Sequence, residues 1–227
     1  MRVLGALAAF DGPTTLTALS ARSGLPPSQT HRYLQSLMAS GMAVQDAAAR
    51  YDIGPGVIRL GLSALSRTNT LGAAEAALIR FVAATGWTAL LTVWGNGAPV
   101  CVRWFPGRPA VMTSFGVGSV LPLVSASGDV FRAFLPEGDL VAAGVTPLPE
   151  ESAARIRAAG TAAQSDVVSP GLRAVAAPIF DLQGRPTLVA VAIAADGAQP
   201  RAKDAWVGEQ LLETCRSATR EAGGTWP

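Results

Sequence analysis

Two short amphipathic segments separated by a Gly-Leu-Pro-Pro break constrain the first third of this 227-residue chain more than any other feature. Thr15 is placed to cap a helix running through Ser23, with Leu16 and Leu19 on its inner face and Gly24 at the C′ position. Leu25-Pro26-Pro27-Ser28 stops that helix and starts another, because proline in a first helical turn costs little. The new helix spans about Pro27 to Ser40, turns Thr30, Leu34, Leu37 and Met38 inward, and ends at Gly41. Upstream, Val3, Leu4 and Leu7 have helical spacing before the turn cluster Asp11-Gly12-Pro13. Downstream, Met42–Gln45 and Tyr51–Ile53 read as short strands around the tip Asp46-Ala47-Ala48-Ala49-Arg50. Three helices, a tight turn before the third, and a hairpin predict a winged helix-turn-helix.

A recognition helix buries one face and turns small, hydrogen-bonding side chains toward base edges with the other. Ser28, Gln29, His31, Arg32, Gln35 and Ser36 all fall off the buried stripe. Gln can pair with adenine and Arg with guanine, while Arg22 on the second helix and Arg50 on the hairpin suit backbone phosphate. A helical packing module with a merely solvated polar face is the alternative. Charge leans toward a polyanion partner: residues 1–68 hold six Arg against three Asp, although the whole chain carries only +2.

Composition removes most other chemistry. With His31 as the only histidine, a Ser-His-Asp or Cys-His set must use it, and a histidine-based zinc site has too few ligands. There is no GxxxxGK[ST] loop and no GxGxxG turn, so no cofactor is expected. Cys101 and Cys215 are too few for a disulfide framework, the opening residues are a poor secretory signal, and no apolar run is long enough to cross a bilayer. A cytoplasmic protein is expected.

Beyond residue 70 the pattern becomes α+β. Leu71 to Ala84 is an amphipathic helix with Leu71, Leu78, Phe81 and Val82 inward, closed by Gly86. Thr88–Trp94 and Val100–Trp104 are strands joined through Gly95-Asn96-Gly97, and Ala110–Phe115 is expected as a third. Helices follow at Ala126–Leu135 and Glu150–Ala159, then a hairpin of Arg173–Phe180 and Pro186–Ala195, then a terminal helix over 201–222. These elements predict an antiparallel sheet covered by helices.

The run Leu16 to Leu65, with Gly24-Leu25-Pro26, Ser28-Gln29-Thr30-His31-Arg32 and Tyr51-Asp52-Ile53-Gly54, resembles the DNA-binding half of IclR-type bacterial transcription regulators. Val117-Gly118-Ser119-Val120-Leu121-Pro122-Leu123, Ala126-Ser127-Gly128, Pro170-Gly171-Leu172-Arg173-Ala174-Val175-Ala176-Ala177-Pro178 and Gly197 are similar to that family's GAF-like effector domain. The resemblance implies a winged helix-turn-helix over 1–54, a linker helix over 55–70 and an effector domain over 71–227. It implies binding to double-stranded operator DNA as a homodimer joined through the linker stripe Ile58, Leu62 and Leu65, with a dimer of dimers left open. The first helix opens at the first residue, so either more chain precedes it or the DNA contacts of the family's leading arm are absent.

In such regulators a small carboxylate sits under the loop before the helix that begins near Ala126. Carried over, the loop amides belong to Ala126 and Ser127, but the usual polar side chains fall at Gln164, Ala174, Ala192 and Ala194. Asp129 further places a negative charge in the first turn of that helix. A site stripped of polarity makes a buried carboxylate costly by several kcal/mol, so the expected effector is neutral and apolar or aromatic, with Trp94, Trp104, Met112 and Phe115 as walls. Two other readings stand beside it. One is an effector-blind DNA-binding protein with a degenerate pocket. The other is an enzyme using Cys101 or Ser127 with Asp129, Asp166 or Arg173.

Overall fold

The computed structural model describes residues 2–65 and 69–227, and the chain divides into two compact units, Met1–Thr68 and Asn69–Pro227. In the first, α1 (Arg2–Ala8), α2 (Leu16–Ser23) and α3 (Pro27–Ala39) precede the hairpin β1 (Ala43–Gln45) and β2 (Tyr51–Ile53), and α4 (Pro55–Leu65) follows. Thr14 adds a bridge to the outer edge of β2, exchanging both backbone hydrogen bonds with Tyr51 at 2.8 and 2.7 Å. Val3, Leu7, Leu19, Leu34, Ala43 and Tyr51 share one core. Leu7, Leu19 and Leu34 are at most 1% exposed, so each contributes about 1.5–3 kcal/mol of burial. A Cβ at Gly54 would strike backbone atoms of Gly41, Met42 and Ala43, so only glycine lets β2 turn into α4 so close to the end of α3.

In the second unit, α5 (Thr70–Thr85) leads into the hairpin β3 (Thr88–Gly95) and β4 (Ala98–Phe105), turned through Asn96 and Gly97 at positive φ. Then come α6 (Ala126–Phe134), α7 (Glu137–Ala142), α8 (Glu150–Ala159), β5 (Ala162–Ser165), β6 (Leu172–Phe180), β7 (Pro186–Ala195), a 3-10 turn and α9 (Asp204–Glu221). The strands form one antiparallel sheet in the order β4-β3-β7-β6-β5. Both faces are covered. Leu91, Val175, Ala190, Ala192 and Ala194 pack under α5 and α9 together with Leu78, Phe81, Leu211 and Cys215. Leu90, Cys101, Ala176, Val191 and Ile193 face α6 and α8 with Val130, Phe131 and Ile156.

The α+β architecture expected from the sequence is the one observed, with three local differences. Ala110–Phe115 is not a strand. The outer edge of β4 instead bonds residues 118–121, through Cys101 N–H to Ser119 O (2.9 Å), Gly118 N–H to Cys101 O (2.7 Å) and Leu121 N–H to Pro99 O (2.8 Å). That edge can be used once, so the β-prone run before it is left as coil. Helix α7, not expected from the sequence, starts one residue beyond Pro136, a proline that stops α6 and serves as the N-cap of the next helix. Strand β5, Ala-Ala-Gln-Ser, carries little strand propensity and exists through pairing with β6.

Candidate functional site

The first candidate surface is the outer face of α3. Thr15 Oγ1 accepts from Ala18 N–H (3.3 Å) to open α2, and Gly24 closes it at φ 66°. The turn is then pinned by Ser20 Oγ donating to Leu25 O (2.5 Å) and Thr30 Oγ1 donating to Pro26 O (3.1 Å). With Thr30 and Leu34 buried, rotation of the helix is set: Ser28, His31, Arg32, Gln35 and Ser36 are exposed and Gln29 is half-buried. Gln35 Nε2 and His31 Nε2 lie 3.3 Å apart, side by side on one turn. Arg32 has no carboxylate partner among the described residues. Arg22 stacks its guanidinium over the Phe10 ring at 5.1 Å, which holds it at the surface of α2. Arg50, expected at backbone phosphate, lies exposed on the hairpin with its Nε donating to Asp46 Oδ2 at 2.9 Å. Asp46 was missed by sequence reasoning, although an acidic residue four before an arginine across a turn is a readable signal.

The second candidate site is a recess between the sheet and the N-terminus of α6. Ser125 caps that helix, its Oγ accepting from Gly128 N–H (3.1 Å) and its carbonyl accepting from Asp129 N–H (2.9 Å). The Ala126 and Ser127 amides, in the same first turn, have no intrahelical acceptor. A Cβ at Gly128 would run into Leu123 backbone, so glycine lets the loop pass this close. Of the residues expected at an effector site, Phe115, Ala126, Ser127, Gln164 and Ala174 line the recess. Trp94 and Trp104, expected as walls, do not line it: Trp94 packs against Phe131 (5.4 Å between ring centroids) and Trp104 lies edge-on to Phe115 (5.8 Å).

Three further expected positions lie elsewhere. Met112 is 93% exposed, in the coil that replaced the expected strand. Ala192 and Ala194 share a face, but it is the face under α5 and α9. Strand register gives the reason: Leu90 faces the recess and pairs with Val191, so Val191 and Ile193 line it and their alanine neighbours point away. Leu121, Val167, Val168 and Leu172 complete the lining. The cavity left open to a water-sized sphere is about 30 Å³, room for one or two waters.

The polar groups at the recess satisfy one another. Gln164 Nε2 donates to Asp129 Oδ2 at 2.6 Å, and Asp129 also meets Arg132 Nη1 at 3.4 Å. Ser127 Oγ lies 3.3 Å from Ser125 Oγ. Burial pushes the Cys101 thiol up, away from its nucleophilic form. Arg173 lies on the opposite sheet face, paired with Asp196 and Asp204. Among the described residues no cluster of His, Cys, Asp or Glu could hold a metal ion, and no helix is long and apolar enough to cross a membrane.

Comparison with known proteins agrees with this geometry. Residues 1–47 match the IclR helix-turn-helix domain. The chain is 31% identical to the HTH-type transcriptional regulator BhcR of Paracoccus denitrificans, covering 88% of this chain and 76% of that one. It is 28% identical to the DNA-binding transcriptional repressor YiaJ of Escherichia coli, over 96% and 84% of the two chains. Among solved structures, Pseudomonas aeruginosa HmgR superimposes with a TM-score of 0.79 at 35% identity, over 98% and 96%. Fold, site and relatives together place this chain in the IclR family of DNA-binding transcriptional regulators.

Proposed function

We propose that the chain is an effector-controlled regulator in which residues 1–54 read operator DNA, 55–70 link and dimerise, and 71–227 sense a neutral, apolar small molecule. The observation that carries the DNA reading is the rotation of α3, which leaves Ser28, His31, Arg32 and Gln35 together on one exposed face with Arg32 unpaired among the described residues. Ile58 and Leu60 on α4 are 63% and 57% exposed, apolar surface that supports pairing with a second copy. The side chains of Leu62 and Leu65 lie outside the described residues. Two DNA-binding units on a symmetric dimer would contact half-sites about 34 Å apart or a multiple of that. Repression in the cytoplasm is the mode we assign, in keeping with the repressor named among the relatives.

Ligand control requires that the effector bind two dimer conformations unequally. An aliphatic lining, an Asp129 carboxylate beside it and a Gln164 amide already donating to that carboxylate support a neutral effector. The small cavity favours a second reading in which the recess is closed and the protein is effector-blind. A thermal-shift screen setting small carboxylates beside neutral aromatic and aliphatic metabolites separates these. Stabilisation by neutral compounds alone supports the main reading, carboxylate stabilisation refutes it, and a flat panel favours the effector-blind protein. For the DNA-binding unit, Arg32→Ala should weaken specific binding by about 1–3 kcal/mol. Unchanged affinity for a selected operator in a gel-shift titration would remove Arg32 from the interface.

A further inference from the structure

The tip of the β1–β2 hairpin is organised by one carboxylate. Asp46 Oδ1 accepts from Ala48 N–H and Arg50 N–H, both at 2.9 Å, and Oδ2 accepts from Arg50 Nε at 2.9 Å. Asp46 N–H donates to Arg50 O (2.9 Å), and Ala49 takes a positive φ of 57° inside this clasp. Ala47, Ala48 and Ala49 are all exposed and project nothing beyond a methyl, so the arginine is the one long side chain at the tip. The Arg50 side chain is about half exposed and is held through Nε alone. Its two Nη groups make no hydrogen bond or ion pair among the described residues. A guanidinium held at Nε presents the Nη pair as a planar fork, the arrangement that takes a phosphate by two parallel hydrogen bonds.

We propose that Asp46 is a positioning residue for DNA binding: by clasping Arg50 through Nε it aims the Nη fork outward at a backbone phosphate. The inference rests on the reading of residues 1–54 as the DNA-binding unit and adds a residue that touches no DNA itself. A carboxylate at a DNA-facing tip would otherwise repel the phosphates. Here its charge is taken up by two amides and a guanidinium, and the Arg50 amide above all keeps its carboxyl below the usual carboxylate range.

The test uses the full chain and a mixed-sequence 30-base-pair duplex, with affinity followed by fluorescence anisotropy from low to moderate KCl. Each phosphate contact contributes about 0.9 to the slope of log affinity against log salt. Arg50→Gln should lower that slope by about 0.9. Asp46→Asn keeps a carbonyl oxygen for the two amides but removes the anion that holds Nε. It should weaken binding about threefold or more and shift the slope toward that of Arg50→Gln. In the double variant, Asp46→Asn should add nothing to Arg50→Gln, because it acts only through the arginine. Tighter binding by Asp46→Asn, or an effect that persists in the double variant, overturns the proposal: Asp46 would then act as a repelling charge. A full slope in Arg50→Gln also overturns it, and Arg32→Ala, titrated against a selected operator, separates the cases. Loss of binding in Arg32→Ala alone leaves the DNA-binding unit standing without its wing contact, whereas no loss in either variant removes the underlying reading.

Discussion

Which residues of β7 line the recess can be tested by moving one hydroxyl. Val191 and Ile193 face the recess, whereas Ala192 and Ala194 face α5 and α9. Val191→Thr and Ile193→Thr place a hydrogen-bond donor on the recess side while keeping the β-branched shape that suits a strand. Ala192→Ser and Ala194→Ser place the same group on the other side. A hydrogen bond to a charged acceptor is worth about 1.5–3 kcal/mol, and each 1.4 kcal/mol is about tenfold in affinity. A small monocarboxylate at the Ala126 and Ser127 amides should therefore bind the threonine variants about 10- to 150-fold more tightly than the parent, and the serine variants no better. The threonines themselves should cost about 1–3 kcal/mol of stability, the price of burying a hydroxyl without a partner. Calorimetric titration with acetate and pyruvate against benzyl alcohol reads the outcome. Equal gains in Ala192→Ser would refute the face assignment, and tight carboxylate binding by the parent would refute the claim that the recess lacks polarity.

Other outcomes follow from single contacts. Gly128→Ala forces a Cβ into Leu123 backbone; overpacking of this kind costs about 1–3 kcal/mol, which denaturant unfolding should register, together with loss of whatever ligand the recess holds. Arg173→Met should destabilise the second unit by about 3 kcal/mol, toward the lower end for a broken buried pair, because Asp196 and Asp204 are about 40% exposed and can rehydrate; a change below about 1 kcal/mol would show that Arg173 holds little. Cys215 is fully buried and its thiol pKa is raised well above 9.0 by burial. The unfolded thiol ionises first, so stability is complete below about pH 9 and falls as pH rises, by about 1.4 kcal/mol per pH unit. Cys215→Ala should flatten that alkaline slope in urea titrations, and an unchanged slope would assign the loss to other groups.

Much of the DNA-binding unit was legible because its signals are local. Thr15 as cap, Gly24 and Gly41 as stops and Pro27 in a first turn each act through the backbone within a few residues, and the leucines at helical spacing say which side is inward. The wing was legible as a hairpin, but the clasp between Asp46 and Arg50 was not, because it depends on how the tip folds the two side chains together. In the second unit, the strands built from β-branched residues and the Asn96-Gly97 turn were readable, whereas β5 was not, since Ala-Ala-Gln-Ser becomes a strand only beside β6.

The sequence by itself determined most of the element types, their order, the family, and alanines at positions where the family resemblance implies polar side chains. Tertiary structure decided which face of each strand meets which helices. Eight of the ten residues of β7 are buried, so polar-apolar alternation is missing and parity alone cannot say which side is the recess. The alternation that exists is one of size: Ala190, Ala192 and Ala194 lie under α5 and α9, while Val189, Val191 and Ile193 fill the recess side. The pairing of Leu90 with Val191 settles the assignment, because a strand's side chains can be placed only relative to a neighbour that is itself anchored, and that anchor lies about a hundred residues away in the chain.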